Sequence, residues 1–379
     1  MKGKWVFFSV LAVFLVSMAN SISVAVDTSG IERVRDKEVL DSQDLQVIDN
    51  FVAGAIQELV MTVDFTSIAK VRATLLARDS SSRPSAQAQY AEQFSGSAHK
   101  YISEALKQVS KLTSEEHKFK VIVNLLILVD KLENLRLADL ALGMVKDENM
   151  VIRYWAVHSV TNAGITKKLN SAGAANLKLT RSIVGQLKGL VESSAPETLA
   201  LMAQFAADVD IPECEDLLLQ ITDMRIKKYA DWTADYELLD QTVLKSLCKK
   251  ISSAGPGKVA VARRFGQLYS YMIQRYINGR NSSNAMQRHQ LASVLVETEN
   301  SCISQLLGMP QASVVGIRKA IENNNYTALL QEHNRLLGDK TRAGQLSLKL
   351  KFDYGRDPNG TKRTAPLVLP KPPRIEARK

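Results

Sequence analysis

Three cysteines and five histidines in 379 residues leave little material for metal or redox chemistry. Cys214, Cys248 and Cys302 are odd in number and widely spaced, which excludes a disulfide framework and fits no zinc-ligand pattern. A single disulfide stays open for an oxidising compartment, and spacing singles out no pair. The histidines offer no His-x-x-x-His pair. Glycine-rich phosphate loops, nucleophile elbows and Cys-x-x-Cys are absent too. Ala254–Lys258 (AGPGK) lacks the spacing and the Ser or Thr of a P-loop and reads as a turn. No catalytic, cofactor-binding or metal residue is therefore expected. Proline is also sparse: only Pro84, Pro196, Pro212, Pro256 and Pro310 of the ten precede residue 340. Alternating strand-like runs joined by Asn-Gly or Asp-Gly turns are scarce, so helix is the expected element.

What is present starts with a signal. Lys2 and Lys4 precede an apolar run from Trp5 to Met18, the length of a signal-peptide core and short of a membrane span. Ser23-Val24-Ala25 places small residues two apart, so cleavage is expected after Ala25, leaving a periplasmic or secreted protein. No later stretch is apolar enough to cross a bilayer. The net charge of +10 is unevenly spread. Residues 26–339 hold 36 charges of each sign, and residues 340–379 hold eleven Lys or Arg against three acids. An electrostatic partner, such as an anionic envelope polymer or membrane surface, would belong to that tail: Lys349, Lys351, Arg356, Lys362, Arg363, Lys371, Arg374, Arg378 and Lys379.

Along the body, Ile56, Leu59, Val60 and Val63, then Ile68, Val71, Leu75 and Leu76, recur at helical spacing. The serines before Pro84 break the pattern, and a helix is expected over 86–110. Thr113-Ser-Glu-Glu116 fits a capping box. Residues 121–129 (VIVNLLILV) are apolar on every side except Asn124, as in a helix with several neighbours. Pro196, Pro212 and Pro310 stand where helices can begin. Later helices are expected over 235–252, 257–278, 284–307, 311–323 and 325–337. Residues 345–355 (QLSLKLKFDYG) alternate like a short strand. Beyond Arg356 the composition of Pro, Lys, Arg, Gly and Thr predicts disorder.

The most informative joint is VKDENMVIRYWAVHSV, residues 145–160. Leu137, Leu140, Ala141, Met144 and Val145 line one helix face. Asp147 or Asn149 can then cap a second helix carrying Ile152, Trp155, Ala156, Ser159 and Val160. Trp155 is expected to pack against a neighbouring helix. Two helices on so short a turn form a helical hairpin. LADLALGMVKDENMVIRYWAVHSV resembles a HEAT repeat, and the resemblance implies that Asp147 and Arg153 pair between neighbouring repeats. A shift of 46 residues lands on VESSAPETLALMAQFA, residues 191–206, within the usual repeat period, although Ser193 and Leu199 replace the pair. The resemblance covers residues 135–210.

The expected fold is therefore all-α: an irregular α-solenoid of HEAT-like hairpins over 26–339, followed by a disordered basic tail over 340–379. The expected function is an exported, non-enzymatic scaffold for a protein or envelope polymer. The alternative is a helical hydrolase acting on an envelope glycan, because Asp231–Glu237 (DWTADYE) concentrates acids and aromatics. Residues 258–280 interleave basic and aromatic groups as single-strand binders do. Their aromatics nonetheless fall on one helix face, which leaves the arginines solvated outside, and export argues against nucleic acid.

Overall fold

A computed structural model describes residues 28–171, 173–253, 257–280 and 284–372. The signal segment, Arg374, Arg378, Lys379 and most of AGPGK lie outside these. The chain divides into two compact units, Met1–Leu140 and Ala141–Lys379, where the sequence suggested one helical body.

In the first unit the helices are α1 (Ser29–Arg35), α2 (Ser42–Met61), α3 (Phe65–Leu76), α4 (Pro84–Val109) and α5 (Glu115–Leu132). The helical spacing that runs from Ile56 to Leu76 is divided because Asp64 turns extended and accepts the Ser67 N–H, starting α3. Asp41 caps α2 in a reciprocal box with Asp44. The Thr113 box shifts by one residue, with Ser114 accepting the His117 N–H at 3.2 Å. Helix α2 packs on α1, α3 and α4, and α5 packs on α3 and α4. Val121, Leu125, Leu126, Leu128 and Val129 are buried, as an all-round apolar helix requires. Its polar exception, Asn124, is fully buried and accepts a hydrogen bond from Arg72 of α3.

Helix α6 (Leu135–Leu142) crosses the boundary between the units. The second unit continues with α7 (Met150–Thr161), α8 (Ala163–Leu169), α9 (Ala174–Lys188), α10 (Pro196–Asp208), α11 (Pro212–Ala230), α12 (Leu238–Ser252) and α13 (Lys258–Asn278). It ends with α14 (Ala285–Thr298), α15 (Ser304–Leu307), α16 (Gly316–Glu322), α17 (Tyr326–Leu337) and α18 (Gln345–Leu350). Pro196 and Pro212 sit in the first turns of α10 and α11. Helices α7 and α10 begin at residues 150 and 196, reproducing the 46-residue shift, and they pack on each other. From α9 onward the main partners are first and second neighbours along the chain, such as α9 with α11, α10 with α12 and α11 with α13. Such local, serial packing is how HEAT-like α-solenoid hairpins bury their apolar stripes.

Three further expectations change. The 284–307 helix contains a π-turn at Glu299–Ile303, where buried Glu299 accepts the N–H groups of Ile317 and Arg318 at 2.7 and 2.9 Å. The 345–355 strand is instead the short helix α18, stopped by Lys351 in the left-handed region. Six alternating residues do not distinguish the two periods, and here Leu346 and Ser347 are buried while Leu348 faces solvent. Residues 340–372, expected without order, are laid against the helices. They bury Phe352, Tyr354 and Leu369, more apolar surface than their composition suggested.

Candidate functional site

The structure gives the residues 145–160 joint a local, structural role. Asn149 accepts the N–H groups of Val151 and Ile152, and Asp147 accepts the Asn149 N–H at 2.8 Å. Arg153 reaches back to the Asp147 carbonyl at 3.3 Å, which ties the turn to its own helix. Trp155 is half-buried, and its ring meets Tyr154 and His158 of the same helix. Among the described residues the tail cations lie on different elements. Lys349 lies on α18, Lys351 at its stop, and Arg356, Lys362 and Arg363 on a small hairpin. Lys371 lies further on. Lys362 stands 3.9 Å from Asp353, and Arg356 donates to the Gly360 carbonyl at 2.6 Å.

The acid-rich segment 231–237 leads to a closed polar cluster. Asp240 on α12 accepts two hydrogen bonds from Arg225 of α11, at 2.7 and 2.9 Å, and a third from the Tyr229 hydroxyl at 2.6 Å. Both charged partners are almost fully buried, which is tolerable only because the carboxylate is paired and hydrogen-bonded. Burial alone would lower the Arg225 pKa, yet the Asp240 charge leaves it above its ordinary value. Burial pushes the Glu237 carboxyl up against the opposing pull of Arg275, 3.9 Å away. Arg275 is itself buried and donates to the Ala234 carbonyl at 2.9 Å, with its guanidinium over the Tyr229 and Trp232 rings. The expectation of solvated arginines along 258–280 therefore fails at this position. Asp240 is locked onto Arg225 in the packed interior, whereas Asp231 and Asp235 of the segment are exposed.

Over this cluster lies a feature that sequence reasoning missed. Gln267 and Gln274 stand two turns apart on α13 and point their amides at the C-terminal segment. Gln267 accepts the Leu367 N–H at 2.8 Å and donates to the Leu367 carbonyl at 3.3 Å. Gln274 accepts the Leu369 N–H at 2.7 Å and donates to the same Leu367 carbonyl at 3.2 Å. The Trp232 indole N–H reaches the Pro370 carbonyl at 2.8 Å. Further along α13, Arg263 grips Asp353 through its carbonyl and carboxylate at 2.6 and 3.0 Å. Next to it, Gly266 leaves room for Tyr354, whose hydroxyl would lie 2.7 Å from any added Cβ. An amide pair seven residues apart was the available sequence signal, but nothing local tells such a face from an ordinary solvated one.

Two further sets of reactive side chains are buried. Ser270 Oγ lies 2.8 Å from His333 Nε2, and His333 Nδ1 lies 2.9 Å from Asn334 Oδ1. Ser270 is fully buried and His333 is 6% exposed, so this nucleophile-like pair sits between α13 and α17 away from solvent. All three cysteines are free and buried, and burial pushes the Cys214 thiol up to about 12. Among the described residues no group of three or more His, Cys, Asp or Glu could hold a metal, and no helix is long and apolar enough to cross a membrane.

No family model and no curated protein matches the chain. Among solved structures it is similar to karyopherin Kap121p, crystallised bound to the extreme C-terminus of the protein phosphatase Cdc14p. That match has a TM-score of 0.37 and 12% identity over 86% of this chain and 36% of that one. This chain thus spans about a third of that protein's length. A crystal structure of an engineered protein gives a TM-score of 0.29 and 11% identity over 86% and 96% of the two chains. At these values neither similarity informs function.

Proposed function

We propose that this chain is an exported, non-enzymatic scaffold that presents helical-hairpin surfaces to a protein partner. The observation that carries the reading is the serial packing of the second unit. Its helices pack chiefly on first and second neighbours, as in helical-repeat proteins, whose stacked units create extended binding surfaces. The basic start and apolar run before Ala25 support export, and the exposed Lys349, Lys351 and Lys371 would favour an anionic envelope surface.

Two measurements test this. N-terminal sequencing of the protein recovered outside the cytoplasm should begin at Val26. Cross-linking in the envelope fraction should then identify a protein that binds the purified chain again in isolation. A chain that keeps residues 1–25 inside the cytoplasm, or that cleaves envelope glycans, would overturn the reading.

A further inference from the structure

We propose that the face of α13 lined by Gln267 and Gln274, with Trp232 beside it, is a docking site for an extended Pro-x-x-Leu segment of a partner protein. In the resting chain residues 366–370 occupy that site in cis. The inference rests on the scaffold reading and gives it one surface.

The bonding pattern carries it. Gln267, Gln274 and Trp232 make five hydrogen bonds to the segment, and every one goes to a backbone N–H or C=O of residues 367–370. A side-chain amide offers a donor and an acceptor together, so it reads an extended chain much as a neighbouring strand would. Any extended peptide can satisfy such bonds, and selectivity then falls to the side chains that are buried. Pro366 and Leu369 are buried, whereas Leu367, Val368 and Pro370 are exposed, with Val368 at 73%. The groove therefore demands proline and leucine three positions apart and tolerates what lies between. Prolines at 366 and 370 also bias the segment toward extended backbone before it binds, which lowers the entropy lost on docking.

The reading side is built in advance. Trp232 holds φ 60°, a left-handed conformation uncommon for a residue with a side chain, and its ring is packed against the Arg275 guanidinium. Gln267 is only 8% exposed. The occupant, by contrast, belongs to no helix or strand and is attached through the separately anchored residues 353 and 354. Residues 366–370 can therefore leave while Arg263 and Gly266 still hold the hairpin before them. A tethered segment competes at millimolar effective concentration, so the intact chain binds a partner weakly until the segment is displaced.

The test uses the full-length chain and a fluorescein-labelled peptide of residues 364–372, followed by anisotropy. Leu369→Asp should release the segment without touching the groove. The variant should bind the peptide at least about tenfold tighter than the wild type does. Adding Gln274→Ala should remove most of that gain, and a peptide carrying Leu369→Asp should not bind. A Leu369→Asp chain with native circular dichroism that ignores the peptide would overturn the proposal. So would equal binding by the wild type, or a wild-type dimer with exchanged segments shown by light scattering and cross-linking. Should Leu369→Asp fail to fold, a protease site placed in the exposed 357–360 turn allows cleavage of the folded chain. Failure of labelled peptide to exchange into the cut protein is then equally decisive against the proposal. Peptide binding lost while an identified partner is still captured removes this surface only. Loss of both removes the scaffold reading as well.

Discussion

At the residue scale, the Arg225–Asp240 pair is the most deeply buried ion pair described. Replacing Asp240 with alanine strands a buried guanidinium and the Tyr229 hydroxyl together. The expected cost is on the order of 3–5 kcal/mol, read from urea unfolding. A loss below about 1 kcal/mol, the value typical of exposed pairs, would show that the pair is hydrated. His333 yields a pH prediction. Burial lowers its pKa below the ordinary 6.5, and Ser270 and Asn334 are its hydrogen-bond partners. The folded state therefore keeps the ring neutral, while the unfolded chain takes up a proton below about pH 6.5. Its contribution is fully present above that value and is lost as pH falls toward the lowered folded value. Thermal melts at pH 7.5 and 5.5 should show this loss in the wild type and a smaller one in His333→Gln. Little of this was legible beforehand: Arg225 and Asp240 sit 15 residues apart on different helices, and only packing brings them together.

At the element scale, caps and prolines were legible because their physics is local. Asn149, Pro196 and Pro212 act where the sequence placed them: Asn149 accepts first-turn N–H groups, and each proline lacks a donor that would have no partner in the first turn. Helix α18 was misread because six alternating residues satisfy either period, and docking against α13, α15 and α17 chose the helix. Gly266 belongs to this scale. Alanine is the better helix former by about 1 kcal/mol, yet a Cβ there would collide with the Tyr354 hydroxyl. Gly266→Ala should keep the helical circular dichroism and detach the hairpin. Limited proteolysis should then cut residues 355–365 sooner than in the wild type, and an unchanged digestion pattern would mean the ring has room to shift.

At the scale of the whole molecule, the chain reads as two helical units with their cysteines sealed in the second. Cys214, Cys248 and Cys302 are 0–3% exposed, so alkylation of the native protein should label none of them on the timescale that labels all three in urea. Rapid native labelling of any one would show that its helices open readily. Far-ultraviolet circular dichroism of the mature protein should be dominated by helix.

The sequence by itself determined the all-α class, most helix positions and the 46-residue echo between α7 and α10, because periodicity, caps and prolines act over a few residues. Tertiary structure alone decided the division near residue 140 and the burial of Arg275. It also decided that the segment after Asp353 lies on α13. That last outcome reverses a compositional expectation: residues 366–370 are too short and proline-rich to order themselves. They find order because Gln267, Gln274 and Trp232, about a hundred residues away or more, supply the hydrogen bonds the segment cannot make alone.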